Sequence, residues 1–364
     1  MNSADCSAAW VHEELIGGNV IAAISELPRE GVYAPSGTCW RGPLLPCAEL
    51  SYYRLTFLAQ GAGSACWAVF AYDRDGNAFV ADCYSSVDPA PNWAECEHHV
   101  RMPVGAVMVR CQFQSSEGEL TVREVSLVQS EPGEALRWME RLVTELPPLP
   151  ELLEGVDPTC LSRWAALLKR GSAPRVVMLG DSIVNDTNNS LFELLVGRVA
   201  GGCVPVVLPS VRGGTGCWHY RDPEEHRAYV AELAPDVLLI GGISHRGDAD
   251  AVREVVRMTR AVCDCDIALM SGPMGADWRV PETCTEGPSP VPDEHDQVRF
   301  GQVLRGLAAE EGVAYFDMAT PWNRYLGASL RPWGSFHRDR VHANDRGKQV
   351  LGRMLAAYLT NCGD

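Results

Sequence analysis

The stretch Arg175-Val176-Val177-Met178-Leu179-Gly180-Asp181-Ser182 joins an apolar, β-branched run to an abrupt polar ending. Continuous apolar residues are typical of strands that are buried on both faces of a parallel sheet. In open α/β sheets, reactive groups collect just beyond the carboxyl ends of such strands. The stretch therefore predicts a buried strand that delivers Ser182 to one edge of a sheet, where the serine is either a nucleophile or part of a helix N-cap.

Four further apolar runs follow this stretch and alternate with helical patterns. The predicted strands are Val204 to Leu208, Val237 to Ile240, Ile267 to Met270 and Val313 to Phe316. The helical spacing from Asp248 to Val262 places one set of residues on a common face: Val252, Val255, Val256, Thr259 and Val262. A second such helix is predicted from Asn344 to Leu359. This alternation predicts an α/β domain over residues 173–364, with a parallel sheet covered by helices on both sides.

The first part of the chain has a different pattern, in which β-type runs alternate with turn residues. Strands are predicted at Tyr53 to Phe57, Trp67 to Tyr72, Ala78 to Ala81, Gly105 to Phe113 and Glu119 to Val128. The segment Asp73-Arg74-Asp75-Gly76-Asn77 is a hairpin signal between two of them. Strands without intervening helices predict an antiparallel β-sandwich over residues 1–130, which resembles the jelly-roll modules found beside carbohydrate-active enzymes.

Aromatic residues of this first domain allow two interpretations. They either fill the sandwich core, as aromatic side chains commonly do, or stack on sugar rings. We expect most of them in the core, and the residues concerned are Trp40, Trp67, Tyr72, Tyr84 and Trp93.

Residues 131–172 are predicted to form a helical linker, with helices at Glu134 to Thr144 and Cys160 to Lys169 separated by prolines.

Composition excludes several classes of function. The chain has 364 residues, of which 46% are hydrophobic and 21% are charged, and its net charge is −16. We therefore expect a soluble globular protein of two domains that binds neither nucleic acid nor membranes. The 14 cysteines show no paired Cys-x-x-Cys spacing, so we expect no metal site and no cofactor. The oligomeric state is left open.

The N-terminal residues give an expectation about localisation. Met1-Asn2-Ser3-Ala4-Asp5 lacks the basic and apolar regions of a signal peptide, which favours a reducing compartment. We expect a cytoplasmic protein for the chain as written, or a secreted or periplasmic one if a leader was removed.

Four elements fall after predicted strands or near the end of the chain, and their order is informative. They are Gly180-Asp181-Ser182, Val211-Arg212-Gly213-Gly214-Thr215-Gly216, Gly241-Gly242-Ile243-Ser244-His245 and Asp339-Arg340-Val341-His342. Together they resemble the SGNH, or GDSL-type, serine hydrolase superfamily over about residues 173 to 360. The resemblance implies a flavodoxin-like three-layer α/β sandwich and metal-independent hydrolysis of an ester.

The resemblance also implies a catalytic triad. Ser182 is the implied nucleophile, His342 the general base and Asp339 the acid that orients it. The chemistry agrees, because a serine hydroxyl needs a neutral imidazole to remove its proton and the imidazole needs an acceptor for its other nitrogen. Taken alone, the Asp-x-x-His spacing is also typical of a helix cap or a surface pair.

An oxyanion hole needs donors aimed at the developing negative charge. The resemblance implies the N–H groups of Ser182 and Gly213, with Gly214 as a close rival because the doubled glycine leaves the register open. The family has an asparagine in the third element, where this chain has Ile243-Ser244-His245. We expect either Ser244 or His245 to donate in its place.

Residues next to these elements are predicted to bind the substrate. They are Asp181, Trp218, His219 and Arg246, and the opposite wall of the pocket is predicted to consist of Trp322, Trp333 and His337. Local packing of long loops is the alternative interpretation for each of them. The Pro- and acid-rich segment 283–296 is predicted to be a flap or insertion.

We expect a serine esterase that removes acetyl or another small acyl group from a carbohydrate or another small ester. A first alternative keeps the fold and has a sulfatase, lipase or thioesterase activity, and Arg212, Arg246 and His245 would suit an anionic group. A second alternative is a sugar-binding protein with a degenerate hydrolase domain, which the missing asparagine favours.

Overall fold

The computed structural model describes residues 11–16, 19–24, 32–35, 38–79, 85–87, 92–149, 161–273 and 296–361. The chain divides into two compact units, one ending at Arg141 and the other beginning at Leu142. The predicted boundaries at residues 130 and 172, with a linker between them, stay a prediction.

The described strands of the first unit are joined by antiparallel pairing throughout. They are β1 (Val11–Ile16), β2 (Asn19–Ile24), β3 (Val32–Pro35), β4 (Thr38–Arg41), β5 (Leu45–Pro46), β6 (Tyr52–Tyr72), β7 (Ala78–Phe79), β8 (Ser85–Val87), β9 (Ala94–Arg101) and β10 (Met108–Ser130). Helix α1 (Pro132–Val143) follows them. The antiparallel β class predicted for this part of the chain is confirmed.

The two longest strands, β6 and β10, differ from the prediction. Each was expected as two separate strands, but each is continuous and they pair with one another along most of their lengths. Two register shifts in β10, at Ser115/Glu117 and Arg123/Ser126, accommodate the irregular positions. The small residues between Gln60 and Cys66 therefore do not end the strand, because cross-strand pairing outweighs their weak β-propensity.

Both halves of β6 contribute to the core of the first unit. Side chains from residues 53–59 and from residues 67–71 of this strand belong to one buried hydrophobic cluster. Trp40 and Trp67 are buried in this cluster, as expected. Arg110 lies over the ring of Tyr72 and Arg123 over the ring of Trp93, whereas Tyr84 is outside the described residues.

The described strands of the second unit form a five-stranded parallel sheet in the order β12-β11-β13-β14-β15. The strands are β11 (Arg175–Gly180), β12 (Val206–Val211), β13 (Val237–Ile240), β14 (Asp266–Met270) and β15 (Ala314–Phe316). Counted along the second unit this is the order 2-1-3-4-5 of flavodoxin-like folds. The predicted fold class of the second domain is confirmed.

Helices connect these strands. They are α2 (Ser162–Lys169), α3 (Ser182–Asn188), α4 (Phe192–Val199), α5 (Cys217–Tyr220), α6 (Pro223–Tyr229), α7 (Ala249–Val262), α8 (Asp296–Glu311), α9 (Ala319–Ser329) and α10 (Asp345–Asn361). Within the described ranges, no helix is long and apolar enough to cross a membrane.

Helix α7 agrees with the prediction except at its end. Val252, Val255, Val256 and Thr259 are buried, and Asp248 caps the first turn by accepting a hydrogen bond from the N–H of Ala251. Val262 was expected on the same face but is 63% exposed. Each three-residue step falls about 60° short of a full helical turn, so two such steps rotate Val262 away from the position of Val256.

Candidate active site

Three strands of the second unit end together and bring their following loops to one edge of the sheet. Gly180 of β11 pairs with Val211 of β12, and Leu179 pairs with Ile240 of β13. The N–H of Arg212 donates to the Gly180 carbonyl at 3.1 Å. The first three polar elements found in the sequence are therefore neighbours in space.

The backbone around Gly180 is tightly packed. A Cβ atom on this glycine would lie 2.4 Å from the carbonyl oxygen of Gly241 and 2.5 Å from a methyl group of Val184. The hydroxyl of Tyr220 also donates to the Gly180 carbonyl at 2.6 Å. Only glycine fits here, and it allows β11 to turn directly into α3, of which Ser182 is the first residue.

Ser182, His342 and Asp339 form a continuous chain of hydrogen bonds. The Oγ of Ser182 lies 2.8 Å from Nε2 of His342, and Nδ1 of His342 lies 2.8 Å from Oδ2 of Asp339. The other carboxylate oxygen of Asp339 accepts from the N–H groups of Val341 and His342. With a proton on Nδ1 donated to Asp339, Nε2 is free to accept the proton of the Ser182 hydroxyl.

Electrostatics favour this arrangement of protons. The hydrogen bond to Asp339 raises the pKa of His342 above its ordinary value, although burial opposes the shift. Burial alone would raise the pKa of Asp339, but hydrogen bonds from the side chain and backbone of His342 and from Val341 hold it well below its usual value. Asp339 is therefore ionised at neutral pH and stabilises an imidazolium on His342.

Two loops offer backbone donors beside the serine. The N–H groups of Ser182 and Gly213 lie two residues beyond the paired positions Gly180 and Val211, and no described acceptor is bonded to either. Gly214 has a φ of +65°, in a turn closed by a bond from the Thr215 N–H to the Arg212 carbonyl. Glycine is favoured at this φ, whereas Gly213 does not have a positive φ.

The polar groups of Ser244 and His245 in the third element already have hydrogen-bond partners. Both the N–H and the hydroxyl of Ser244 donate to Oδ2 of Asp181, at 2.9 and 2.7 Å. His245 is buried; Cys217 donates its N–H to Nδ1, and Nε2 faces the Gly241 carbonyl at 3.1 Å. Burial lowers the pKa of His245, which keeps the ring neutral. That Ser244 or His245 replaces the family's asparagine stays a prediction, although the hydrogen-bond donors of both residues already have partners within the protein.

Asp181 is buried and accepts several hydrogen bonds within the protein. It is only 1% exposed, and its carboxylate accepts from the N–H groups of Ile183 and Ile243 as well as from Ser244. Both carboxylate oxygens therefore have partners, and they connect the start of α3 to the third loop. That Asp181 binds substrate stays a prediction.

The remaining predicted substrate residues cluster beside the second and third loops. The indole N–H of Trp218 donates to the Ser244 carbonyl at 2.9 Å, and the guanidinium of Arg246 lies 4.0 Å from the Trp218 ring centre. Nε2 of His219 lies 3.3 Å from both Arg212 and Glu225. Arg246 has a φ of +56°, which is uncommon for a long side chain.

The predicted opposite wall is mostly packed inside the protein. Trp322 is buried against Phe336 and His337, so it belongs to the core. His337 stacks on Trp333 with ring centres 3.5 Å apart, and burial lowers the pKa of His337 to about 3. The predicted flap of residues 283–296 lies outside the described residues, apart from Asp296 at the start of α8.

Sequence reasoning missed two charged residues near the site, Asp186 and Arg338. They form an ion pair at 2.9 Å in which both side chains are almost fully buried. The sequence did contain one indication, since Asp186 lies four residues after Ser182, which places both on one side of a helix.

Among the described residues, no group of three or more His, Cys, Asp and Glu side chains is arranged to hold a metal ion.

Comparison with known proteins gives partial matches. No family model matches the chain. An uncharacterized protein of Bacillus anthracis is 33% identical over 70 residues, which span 18% of this chain and 56% of that protein's length.

Among solved structures, an acetyl xylan esterase from Geobacillus stearothermophilus is 19% identical, with a TM-score of 0.41 over 52% of this chain and 95% of the other. A GDSL-like lipase from Parabacteroides merdae is 15% identical, with a TM-score of 0.40 over 52% of this chain and 96% of the other.

Proposed function

We propose that the chain is a serine esterase that removes acetyl or another small acyl group from a carbohydrate. The observation that carries the proposal is the hydrogen-bonded chain from Ser182 through His342 to Asp339, with 2.8 Å between the bonded atoms at both steps. Such a chain lets a neutral imidazole activate a serine hydroxyl, and it is the arrangement expected of a nucleophile, a base and an orienting acid.

The reaction proceeds in two halves. His342 takes the proton of Ser182 through Nε2 while the serine Oγ attacks the ester carbonyl, and the N–H groups of Ser182 and Gly213 hold the resulting oxyanion. His342 then gives the proton to the leaving alcohol, which leaves an acyl group on Ser182. His342 then removes a proton from a water molecule that attacks the acyl group, the bond from the acyl carbon to Ser182 Oγ breaks, and His342 returns the proton to that oxygen as the acid is released. Each oxyanion donor is worth on the order of 10² to 10³ in rate.

The surroundings of the site favour a polar alcohol over a long acyl chain. The side chains beside the second and third loops include exposed Arg212 and Arg246 and the half-buried Trp218. Of the large apolar side chains exposed in the described residues, only Val341 adjoins the three proposed catalytic residues. A lipid substrate would need a larger apolar surface, so this rim supports a carbohydrate ester.

Ser182→Ala tests the mechanism. We expect kcat for a small chromogenic acetyl ester to fall by on the order of 10⁴-fold or more, because the serine, histidine and aspartate act as one unit. The matched control is Ser172→Ala, which changes an exposed serine before β11 and should leave kcat unaltered. A fluorophosphonate probe should label the parent protein and the control but not Ser182→Ala. Folded Ser182→Ala protein that keeps its turnover would contradict the mechanism, and a folded parent protein that the probe does not label would favour the sugar-binding alternative.

A second candidate function is hydrolysis of an ester on an anionic sugar, including a sulfate ester. The observation that favours it is that Arg212 and Arg246 are exposed and neither forms an ion pair with a described carboxylate. Arg221, which lies between them in sequence, is within 3.8 Å of Asp248 and Glu254. Guanidinium groups that have no carboxylate partner beside a site suit carboxylate or sulfate groups on a substrate.

Substrate screening separates the two candidates. Acetylated neutral sugars, acetylated uronic acids and sulfated sugars are compared, with released acetate and sulfate measured separately. If the second candidate holds, Arg212→Gln and Arg246→Gln should each lower kcat/KM for the anionic substrates about tenfold or more and spare the neutral ones, since a charged hydrogen bond contributes about 1.5–3 kcal/mol. Arg227→Gln, which removes an exposed partner of Glu232, is the control. Equal effects on neutral and anionic substrates would rule this candidate out.

A further inference from the structure

Asp186 lies one helical turn after the proposed nucleophile. Ser182 begins α3 and Asp186 follows four residues later, so both side chains emerge from the same side of this helix. Asp186 is nevertheless 2% exposed, whereas the start of the helix lies at the edge of the sheet. A buried carboxylate in this position needs partners, because an unpaired buried charge is costly.

Those partners come from the loop that carries His342. Oδ1 of Asp186 accepts from Nη1 of Arg338 at 2.9 Å, and Oδ2 accepts from the N–H of Ala343 at 2.9 Å. The same Nη1 donates to the Ala343 carbonyl at 2.6 Å. One carboxylate and one guanidinium thus hold both backbone groups of the residue that directly follows His342.

The loop itself is closed by its own backbone. The N–H of Arg338 donates to the His342 carbonyl at 3.0 Å, and His337 pairs with Ala343 as an isolated antiparallel bridge. Asp339 and His342 lie inside this closed turn. The Asp186 and Arg338 pair therefore connects the turn that contains the base to the helix that contains the nucleophile.

We propose that Asp186 and Arg338 are positioning residues for catalysis, which together hold the His342 loop against the helix that begins at Ser182. This inference rests on the proposed function of Ser182 and His342. The two residues touch neither the serine hydroxyl nor the imidazole in a hydrogen bond, so they act through the placement and the electrostatic environment of His342.

The pair also has a defined electrostatic effect. The groups that face His342 are Asp339 and Arg338 from its own loop, the buried ring of His337, and Asp186 from α3. Asp186 raises the pKa of His342 and Arg338 lowers it. Because the two charges are paired, their effects on His342 oppose each other, and removing either one leaves the other uncompensated.

The test is the pH dependence of kcat/KM for a small acetyl ester. Activity needs neutral His342, so the acidic limb of the profile follows the pKa of this residue in the free enzyme. Asp186→Asn leaves the positive charge of Arg338, lowers the pKa of His342 and should move the acidic limb to lower pH. Arg338→Gln leaves the negative charge of Asp186 and should move it to higher pH. We expect each shift to be roughly one pH unit, together with a loss of about 10- to 100-fold in kcat.

The control removes an ion pair far from the proposed site. Asp236 pairs with Arg163 at 2.8 Å immediately before β13, at the opposite end of the strand from the third loop. Asp236→Asn should lower the thermal midpoint without moving the acidic limb. Opposite shifts in Asp186→Asn and Arg338→Gln, together with the loss of kcat, therefore indicate that the pair acts on His342, because a purely structural loss would lower stability and leave the limb in place.

Several outcomes would overturn the inference. It fails if the acidic limbs of Asp186→Asn and Arg338→Gln coincide with that of Asp236→Asn, or if both move in the same direction. If Asp186→Asn does not fold, Arg338→Gln and Arg338→Lys decide, since only the first should move the limb and both should lower kcat. Turnover retained by folded Ser182→Ala would instead reject the proposed function, so the two failures are distinguishable.

Discussion

Asp181 lies beside the proposed nucleophile, yet its carboxylate serves the protein's own backbone. It accepts from Ile183 at the start of α3 and from Ile243 and Ser244 in the third loop. Gly242 has a φ of +105°, and a Cβ atom there would lie 2.6 Å from Oδ1 of Asp181. The third loop thus wraps closely around this carboxylate, and we expect Asp181 to help position the Ser182 N–H.

Asp181→Ala should therefore affect both stability and rate. Loss of the N-cap costs about 1 kcal/mol, and each buried donor left without a partner costs about 1–3 kcal/mol. We expect the free energy of unfolding to fall by at least about 2 kcal/mol and kcat/KM to fall on the order of 100-fold, because Ser182 would no longer be held in place. Chemical denaturation and assays with a small acetyl ester would measure the two effects.

Asp222→Ala is the matched control for this prediction. Asp222 caps α6 by accepting from the N–H groups of Glu224 and Glu225, and it is exposed. Its loss should cost about 1 kcal/mol and leave kcat/KM unchanged. If Asp181→Ala behaved as Asp222→Ala does, the carboxylate would be only a helix cap.

At the scale of elements, the site depends on how closely β11 approaches its neighbours. The strand ends at Gly180, where the carbonyl of Gly241 and the side chain of Val184 occupy the space that a Cβ atom would need. The first contact is with backbone after β13, which cannot rotate away as a side chain does. The separation between these two strand ends therefore sets the distance between the first and third loops.

Gly180→Ala and Gly306→Ala should have opposite effects on stability. Gly180→Ala forces apart β11 and β13 and should lower the free energy of unfolding by about 1–3 kcal/mol, the usual cost of overpacking, together with kcat. Gly306 is exposed in the middle of α8 and has nothing within 4 Å of its Cβ position, so Gly306→Ala should stabilise the protein by up to about 1 kcal/mol. Thermal denaturation of both variants tests this, and a stable Gly180→Ala variant would show that the strand ends can separate without cost.

At the scale of the whole molecule, the chain contains two units that differ in how they obtain a core. The first unit folds two long antiparallel strands, β6 and β10, over one cluster of aromatic and aliphatic side chains. The second buries a parallel sheet whose central strands β11 and β13 are almost entirely inaccessible to solvent. Helices on both faces of the second sheet free the loops at its carboxyl edge for chemistry.

The net negative charge of the whole chain affects how an anionic substrate would reach the site. A net charge of −16 repels anions at long range, and salt screens this repulsion beyond about 10 Å. Arg212 and Arg246 act only at short range, next to the loops that contain the proposed oxyanion donors. An anionic sugar would therefore be held by local contacts rather than steered to the site by the field of the protein.

The amino-acid sequence alone determined the classes of both folds and the identities of Ser182, His342 and Asp339 as candidates. Apolar runs, helical spacing and the order of four short elements are local patterns, and they survive folding because buried strands and amphipathic helices have few alternatives. Local patterns also predicted that β6 and β10 would each be two separate strands. In the structure each is continuous, because the two strands pair with one another.

Tertiary structure alone decided which polar groups remain available at the site. By residue type, Ser244, His245 and Asp181 could donate to or bind a substrate. In the structure their polar groups form hydrogen bonds within the protein, with partners up to 63 residues away in sequence. Asp186 and Arg338 are 152 residues apart in sequence, and only folding brings them together next to the residue that follows His342. Whether a buried polar group has a hydrogen-bond partner depends on all of its neighbours in space. Neighbours that are distant in sequence cannot be predicted from a local sequence pattern.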